Sequence, residues 1–212
     1  MARSASAISL SSIVLLLLLA PAQGRSLIET SVVMPITEAS PTLSPFQHVR
    51  FCLRYPADCK SDPTEITTVE LTAETLETMH RVNRDVNLSI MPVAKNDAIA
   101  DGGWTISPVS GDCNDYAVTK RHELVQKGFP TKAVRLAVVK TSSGIGHLVL
   151  VVATNKGNLV LDNLSETIVP WQFTKYQWVK IQSSSDARYW FEIMPRTLVL
   201  SQVDRKIRSA DR

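Results

Sequence analysis

Cysteine-rich metal motifs, glycine-rich phosphate loops, internal repeats and long charged blocks are all missing from this chain of 212 residues. Its three cysteines, Cys52, Cys59 and Cys113, include one close pair, without the second CxxC or histidine pair that a zinc site needs. The formal net charge is only +3 and the basic residues are scattered, which argues against nucleic acid as a partner. Beyond the N-terminal region no apolar run approaches the ~20 residues that a membrane-spanning helix requires. What remains is enough chain for one well-packed domain and too little for two.

The first residues read as an address. Arg3 gives a weakly positive start, Ile13 to Leu19 form an apolar core, and Ala20-Pro21-Ala22 offers small residues before a cleavage site near Gln23. An uncleaved anchor is the competing reading, but the apolar run is short for it. The chain is therefore expected to be periplasmic or secreted, with no stable membrane insertion after cleavage. In an oxidising compartment Cys52 and Cys59, which bracket Leu53 to Asp58, can close a local disulfide, with a metal site as the weaker rival. That leaves Cys113 as a reactive thiol.

Organisation follows from periodicity. Residues 1–22 are the signal segment, 23–45 an extended Ser/Thr/Pro-rich linker, 46–195 the domain, and 196–212 a polar tail. Glu65 to Leu71 reads as a short strand or extended arm. Leu76, Met79, Val82, Val86 and Ile90 recur at steps of three and four, predicting a helix from Ala73 to about Ile90 that Pro92 ends. Val93 to Gly103 reads as a loop. A second, amphipathic helix begins at Cys113 and stops at Gly128 and Pro130. Strands follow at Ala133–Lys140, His147–Ala153 and Leu159–Asp162, separated by turns, with further strands at Tyr176–Ile181 and Arg188–Ile193. Helices first and an antiparallel meander afterwards define an α+β fold.

Chemistry concentrates in Gly111-Asp112-Cys113-Asn114-Asp115-Tyr116-Ala117. A cysteine in the first turn of a helix faces unpaired backbone N–H groups and the positive end of the helix dipole, which favours a nucleophilic thiolate. The same turn can offer a backbone N–H to an oxyanion. In the meander, His147 opens one strand and Asp162 closes the next, so both lie at one edge of the sheet. If they share a face, the carboxylate can orient the imidazole toward a thiol. His48, His80 and His122 show no such partner. Asn87 reads as a surface or capping amide.

These segments resemble the bacterial transglutaminase-like cysteine proteinases. The resemblance rests on Gly111 to Ala117 with Lys120 and Leu124, on Gly146-His147-Leu148-Val149-Leu150, and on Val160-Leu161-Asp162-Asn163. Phe51-Cys52-Leu53-Arg54-Tyr55-Pro56 with Cys59, Asn87 and Trp104 adds to it. It covers roughly Phe46 to Phe191 and implies a papain-like, transglutaminase-like core with a Cys113–His147–Asp162 triad. It also implies an exported peptidase that acts on a protein substrate, a cell-surface adhesin in the best-understood members, with calcium bound by acidic residues flanking the nucleophile. Here those are Asp112 and Asp115, while Asn114 departs from the usual acidic residue and removes a charge that a hard cation would use. The competing role for both aspartates is to complement the helix dipole. In the mechanism read from the triad, the Trp104 indole N–H and Asn87 are two candidates for the second oxyanion donor, and the choice between them stays open. Acyl transfer to an amine by the same triad (a crosslinking transglutaminase or an amidase), and an inactive binding protein on this fold, remain the alternatives.

Overall fold

Residues 35–93 and 103–195 are described by the structure, a computed structural model. The expected signal segment, the first part of the linker, most of the 93–103 loop and the polar tail lie outside the described residues. Within them the chain runs β1 (Glu38–Thr42), α1 (Phe46–Arg54), a 3-10 turn (Pro56–Cys59), α2 (Ala73–Ser89), β2 (Met91–Pro92), β3 (Ser110–Gly111) and α3 (Cys113–Gln126). Then come β4 (Val134–Lys140), β5 (Gly146–Thr154), β6 (Gly157–Leu161), β7 (Val169–Pro170), a second 3-10 turn (Trp171–Phe173), β8 (Gln177–Gln182) and β9 (Trp190–Ile193). Seven strands form one sheet in the order β1-β9-β8-β4-β5-β6-β7. Every neighbouring pair in it is antiparallel. The fold is α+β, with the meander β4-β5-β6 at its centre.

The central strands are apolar without a break because both faces of the sheet are covered. Leu136, Leu148, Leu150, Val152, Leu159 and Leu161 point into a core shared with the helices. The alternate residues Ala137, Val139, Val149, Val151 and Val160 pack with Ile36, Trp171 and Ile181 on the other side. This is the period-two alternation of a strand with neither side left to water.

Three features depart from the sequence reading. Residues 38–42, inside the stretch expected to be a linker, form the edge strand β1, where Pro41 costs no internal ladder bond. Glu38 fixes this strand by accepting from Arg135 Nη1 at 2.8 Å and from the Ser184 N–H at 2.8 Å. Helix α1 was not legible, because three of its apolar residues, Phe46, Val49 and Leu53, are exposed while His48 is buried beside Phe51. Helix α3 is not amphipathic in the ordinary sense, since Asp115 to Arg121 are buried without interruption. Arg121 makes such burial tolerable by donating to the carbonyl oxygens of Val134, Asp58 and Thr131. The expected arm at 65–71 contributes a single bridge, Val69 to Thr154.

Cys52 and Cys59 are joined in a disulfide and Cys113 is a free thiol. His48 lies within 4.0 Å of both sulfurs, but sulfurs bonded to each other cannot serve as thiolate ligands. Instead His48 is enclosed, accepting from Trp190 Nε1 at 3.2 Å and lying 3.0 Å from Gln182 Nε2. Burial first, then the charge of Arg121, lowers its pKa to about 4. The disulfide closes a short loop, so removing it should cost about 2 kcal/mol. Cys52→Ala with Cys59→Ala is therefore expected to lower the melting temperature by roughly 4–8 °C. Calorimetry checks this, and an unchanged transition would show that the loop needs no covalent closure.

Candidate active site

Cys113 is placed by the architecture of the α3 start. Asp112 is the N-cap, its Oδ1 accepting from the Asn114 N–H at 3.0 Å, while Asp115 Oδ2 accepts from the Asp112 N–H at 3.0 Å. This reciprocal capping box satisfies donors that the helix cannot. Asp115 Oδ1 also accepts from the Thr105 N–H at 2.8 Å, which ties the segment after Gly103 to the helix. Gly111 is required by close approach, since an added Cβ would sit 2.4 Å from Asp115 Oδ2. Strand β3 ends at Gly111 and pairs with β2, and Tyr116 OH donates to the Ile90 carbonyl. The end of α2 and the start of α3 are thereby locked together.

His147 and Asp162 come from β5 and from the residue that follows β6. The β5–β6 ladder pairs Leu150 with Leu161. One further rung sets Asp162 beside Val149, two residues from His147 and therefore on the same face. His147 Nε2 meets Asp162 Oδ1 at 2.8 Å, both side chains being buried. The ring nitrogen left for Cys113 is Nδ1. Burial alone would lower the His147 pKa, but hydrogen bonding and charge from Asp162 and from Cys113 outweigh it and raise it to about 9. Burial pushes the Asp162 pKa up, yet His147, Tyr176 and the Leu164 N–H together hold it below the usual value.

Residues that carried no such role in the sequence reading support Asp162. Tyr176 OH donates to Oδ2, and the Leu164 N–H donates to Oδ1 at 3.1 Å. Asn87 Nδ2 donates to the Asp162 carbonyl at 3.0 Å. One turn earlier on α2, Asn83 Nδ2 reaches the carbonyls of Ser165 (3.3 Å) and Glu166 (3.1 Å). The four-residue spacing of Asn83 and Asn87 sets both amides on one helical face, and Asn87 is also among the residues that carry the resemblance.

Cys113 and His147 line two adjoining recesses. One is completed by Phe46, Gln47, Trp104, Val138 and Leu148. The other is completed by Pro92, Val93, Tyr116, Ile145, Asn163 and Leu164. A larger recess of about 590 Å³ lies between α2 and α3, lined by Thr78, Asp85, Thr119 and Glu123, and includes none of these reactive groups. Trp104 lines one recess together with Cys113, whereas Asn87 Nδ2 donates to the Asp162 carbonyl. His122 differs from expectation: it does have a carboxylate partner, Asp58 Oδ1 at 2.9 Å.

Calcium takes six to eight oxygen ligands. Asp115 has its two oxygens on backbone N–H groups, and Asp112 Oδ1 takes both the N–H and the Nδ2 of Asn114. Among the described residues no third acidic or histidine side chain joins them in a group that could hold a metal. The carboxylates as placed serve the helix start and do not by themselves fit a calcium shell, and no chemical step is derived through the ion.

A family model described as bacterial transglutaminase-like cysteine proteinase matches residues 38–197. Among solved structures, calcium-bound LapG of Legionella pneumophila aligns with a TM-score of 0.48 and 19% identity, over 70% of this chain and 81% of that one. The EGTA-treated form of the same protein gives 0.45 and 21%, over 73% and 81%. A search of the curated proteins finds no match.

The capping geometry makes a stability prediction. Asp115→Asn leaves one buried N–H without its acceptor, a loss of about 2 kcal/mol. The drop in melting temperature should be the same with chelator as with added calcium. Thermal unfolding in both buffers checks it, and a drop confined to the calcium buffer would put the cation at this carboxylate.

Proposed function

This chain belongs to the bacterial transglutaminase-like cysteine proteinase family, and we propose that its peptidase chemistry runs through Cys113, His147 and Asp162. The observation that carries the proposal is the union of three placements. A free thiol opens a helix, an imidazole lines the same recesses, and that imidazole's far nitrogen is bonded to a buried carboxylate.

The steps follow from these placements. The Cys113 thiolate attacks the scissile carbonyl carbon while His147 holds the proton. The oxyanion is met by the Cys113 backbone N–H and by Trp104, the one of the two candidate donors that lines a recess with the thiol. The C–N bond breaks, the leaving amine takes the proton from His147, and a thioester remains. Water then attacks it, giving its proton to His147, and Cys113 departs as thiolate. Asp162 stays ionised throughout, holding the tautomer that directs Nδ1 at sulfur. The apolar leader supports export, so the substrate proposed is a protein of the cell envelope or surface, an adhesin in keeping with the family's best-understood members. Among the described residues no helix is long and apolar enough to cross a membrane.

Quenched-fluorescence peptide mixtures, with products sequenced by mass spectrometry, test this reading. Cys113→Ala should abolish turnover with an unchanged fold. His147→Ala should be nearly as severe, and Asp162→Asn should lose less than the ~10⁴-fold seen in a serine triad, because a thiol needs less help from its base. Asn163→Ala is the control. Turnover surviving in Cys113→Ala would refute the assignment, and products joined to an added amine would mark acyl transfer instead of hydrolysis.

The imidazole sets the pH response. Its folded pKa of about 9 lies above the ordinary 6.5, so the charged pair is complete below 6.5 and is lost as pH rises through about 9. We expect kcat/KM to fall on the alkaline side with a midpoint near 9. The contribution of His147 to stability should fall across the same window. A pH–rate profile with its alkaline limb near 6.5 would contradict this ion pair.

A further inference from the structure

We propose that Tyr176 is a positioning residue for this reaction, acting through Asp162 on the His147 imidazole; the proposal rests on the roles given above to Cys113, His147 and Asp162. The two carboxylate oxygens of Asp162 have separate tasks. Oδ1 receives His147 Nε2 at 2.8 Å and the Leu164 N–H at 3.1 Å, while Oδ2 receives the Tyr176 hydroxyl. A carboxylate can turn about its side-chain torsions, and donors on one oxygen alone leave that rotation open. A donor on the second oxygen closes it. Asp162 is 5% exposed, so without Tyr176 its second oxygen would be a charged acceptor largely cut off from water.

The same side chain also walls the imidazole. The Tyr176 and His147 ring centroids lie 5.6 Å apart at an interplanar angle of 51°. Tyr176 therefore restrains both members of the pair, one by hydrogen bond and one by contact. It is itself held by neighbours. Thr174 Oγ1 donates to the Trp171 carbonyl at 2.7 Å and accepts from Trp178 Nε1 at 3.2 Å, and the two indoles pack edge to face. This braced turn delivers Tyr176 from the side of the sheet opposite the helices. Burial, with the hydrogen bond and charge of Asp162, raises the pKa of the phenol. It remains a donor across the working range and does not take part in proton transfer to substrate.

Tyr176→Phe keeps the ring against His147 and removes only the hydroxyl. We expect kcat to fall about tenfold with KM unchanged, the scale of one charge-assisted hydrogen bond. In an Asp162→Asn background the same change should cost almost nothing more, because the group through which it acts has already been altered. The proton NMR signal of the His147 Nε2–H should shift in Tyr176→Phe, and because a buried charged acceptor loses a donor the melting temperature should fall by a few degrees, so kcat is read well below the transition. Unchanged kcat, a loss that appears only in KM, or equal losses in both backgrounds would overturn the proposal. Cys113→Ala run alongside separates the two levels: turnover surviving there defeats the triad itself, whereas a dead Cys113→Ala with a fully active Tyr176→Phe defeats only the role of Tyr176.

Discussion

The buried carboxylate of Asp162 is the constraint on which the site depends. Moving an ion of this size out of water costs several kcal/mol even after relaxation. Its neighbours offset that cost with donors from three parts of the chain: the His147 ring on β5, the Leu164 amide just beyond β6, and the Tyr176 hydroxyl before β8. Its main chain is held as well, through Asn87 on α2. Removing any one donor leaves a charged acceptor in a poor solvent, so the donors are arranged around the carboxylate and not the reverse. Helix α2 is far from the reacting atoms in sequence, yet its two asparagines clamp the loop that carries Asp162, Ser165 and Glu166.

The nucleophile is held by a different set of forces. Cys113 depends on the capping of α3, on the absence of a Cβ at Gly111, and on the short β2–β3 pairing. The two halves of the site meet at the end of the sheet, where Cys113 at the start of α3 and His147 at the start of β5 line the same recesses. Lys120, seven residues beyond Cys113 and 1% exposed, shows how tight that seam is. Burial lowers its pKa to about 7, and the charge of Asp162 works against this. The burial of Lys120 is eased by the charge of Asp162 and by the Tyr116 ring, 6.0 Å from Nζ, both of which favour the cation.

What was legible in the sequence was what is locally encoded. The starts of α2 and α3 and the strands β4, β5 and β6 fall within two residues of their expected positions, since caps, turns and periodicity act over a few residues. The Cys52–Cys59 disulfide was readable for the same reason, the two residues being seven apart. The pairing of His147 with Asp162 was readable because a meander brings neighbours in sequence together, here fifteen residues apart. Interactions made across the fold were not readable. His122 finds Asp58 across sixty-four positions, and Asn87 finds the Asp162 carbonyl across seventy-five. Tyr176 is only fourteen residues from Asp162, but it arrives through the Trp171–Trp178 turn, which no periodicity announces. Helix α1 was hidden for a physical reason as well: its interior side carries His48 beside Phe51, while its other apolar residues, Phe46, Val49 and Leu53, are exposed.

The acidic flanks of Cys113 carry the last step. A helix begins with four N–H groups that its own carbonyls cannot reach. In α3, Asp112 Oδ1 takes the N–H of Asn114, and the Asp112 carbonyl oxygen takes those of Asp115 (3.0 Å) and Tyr116 (3.3 Å). Among the described residues, the first-turn donor that remains is that of Cys113, the one adjacent to the sulfur. Asp115 meanwhile spends its charge on Asp112 and Thr105 amides outside the helix. Capping therefore does more than start the helix. It satisfies the other donors of the first turn and leaves the Cys113 amide beside the sulfur. The two aspartates that start this helix have the same sequence signature as a cation site, and Asp115 has both its oxygens on the amides of Asp112 and Thr105.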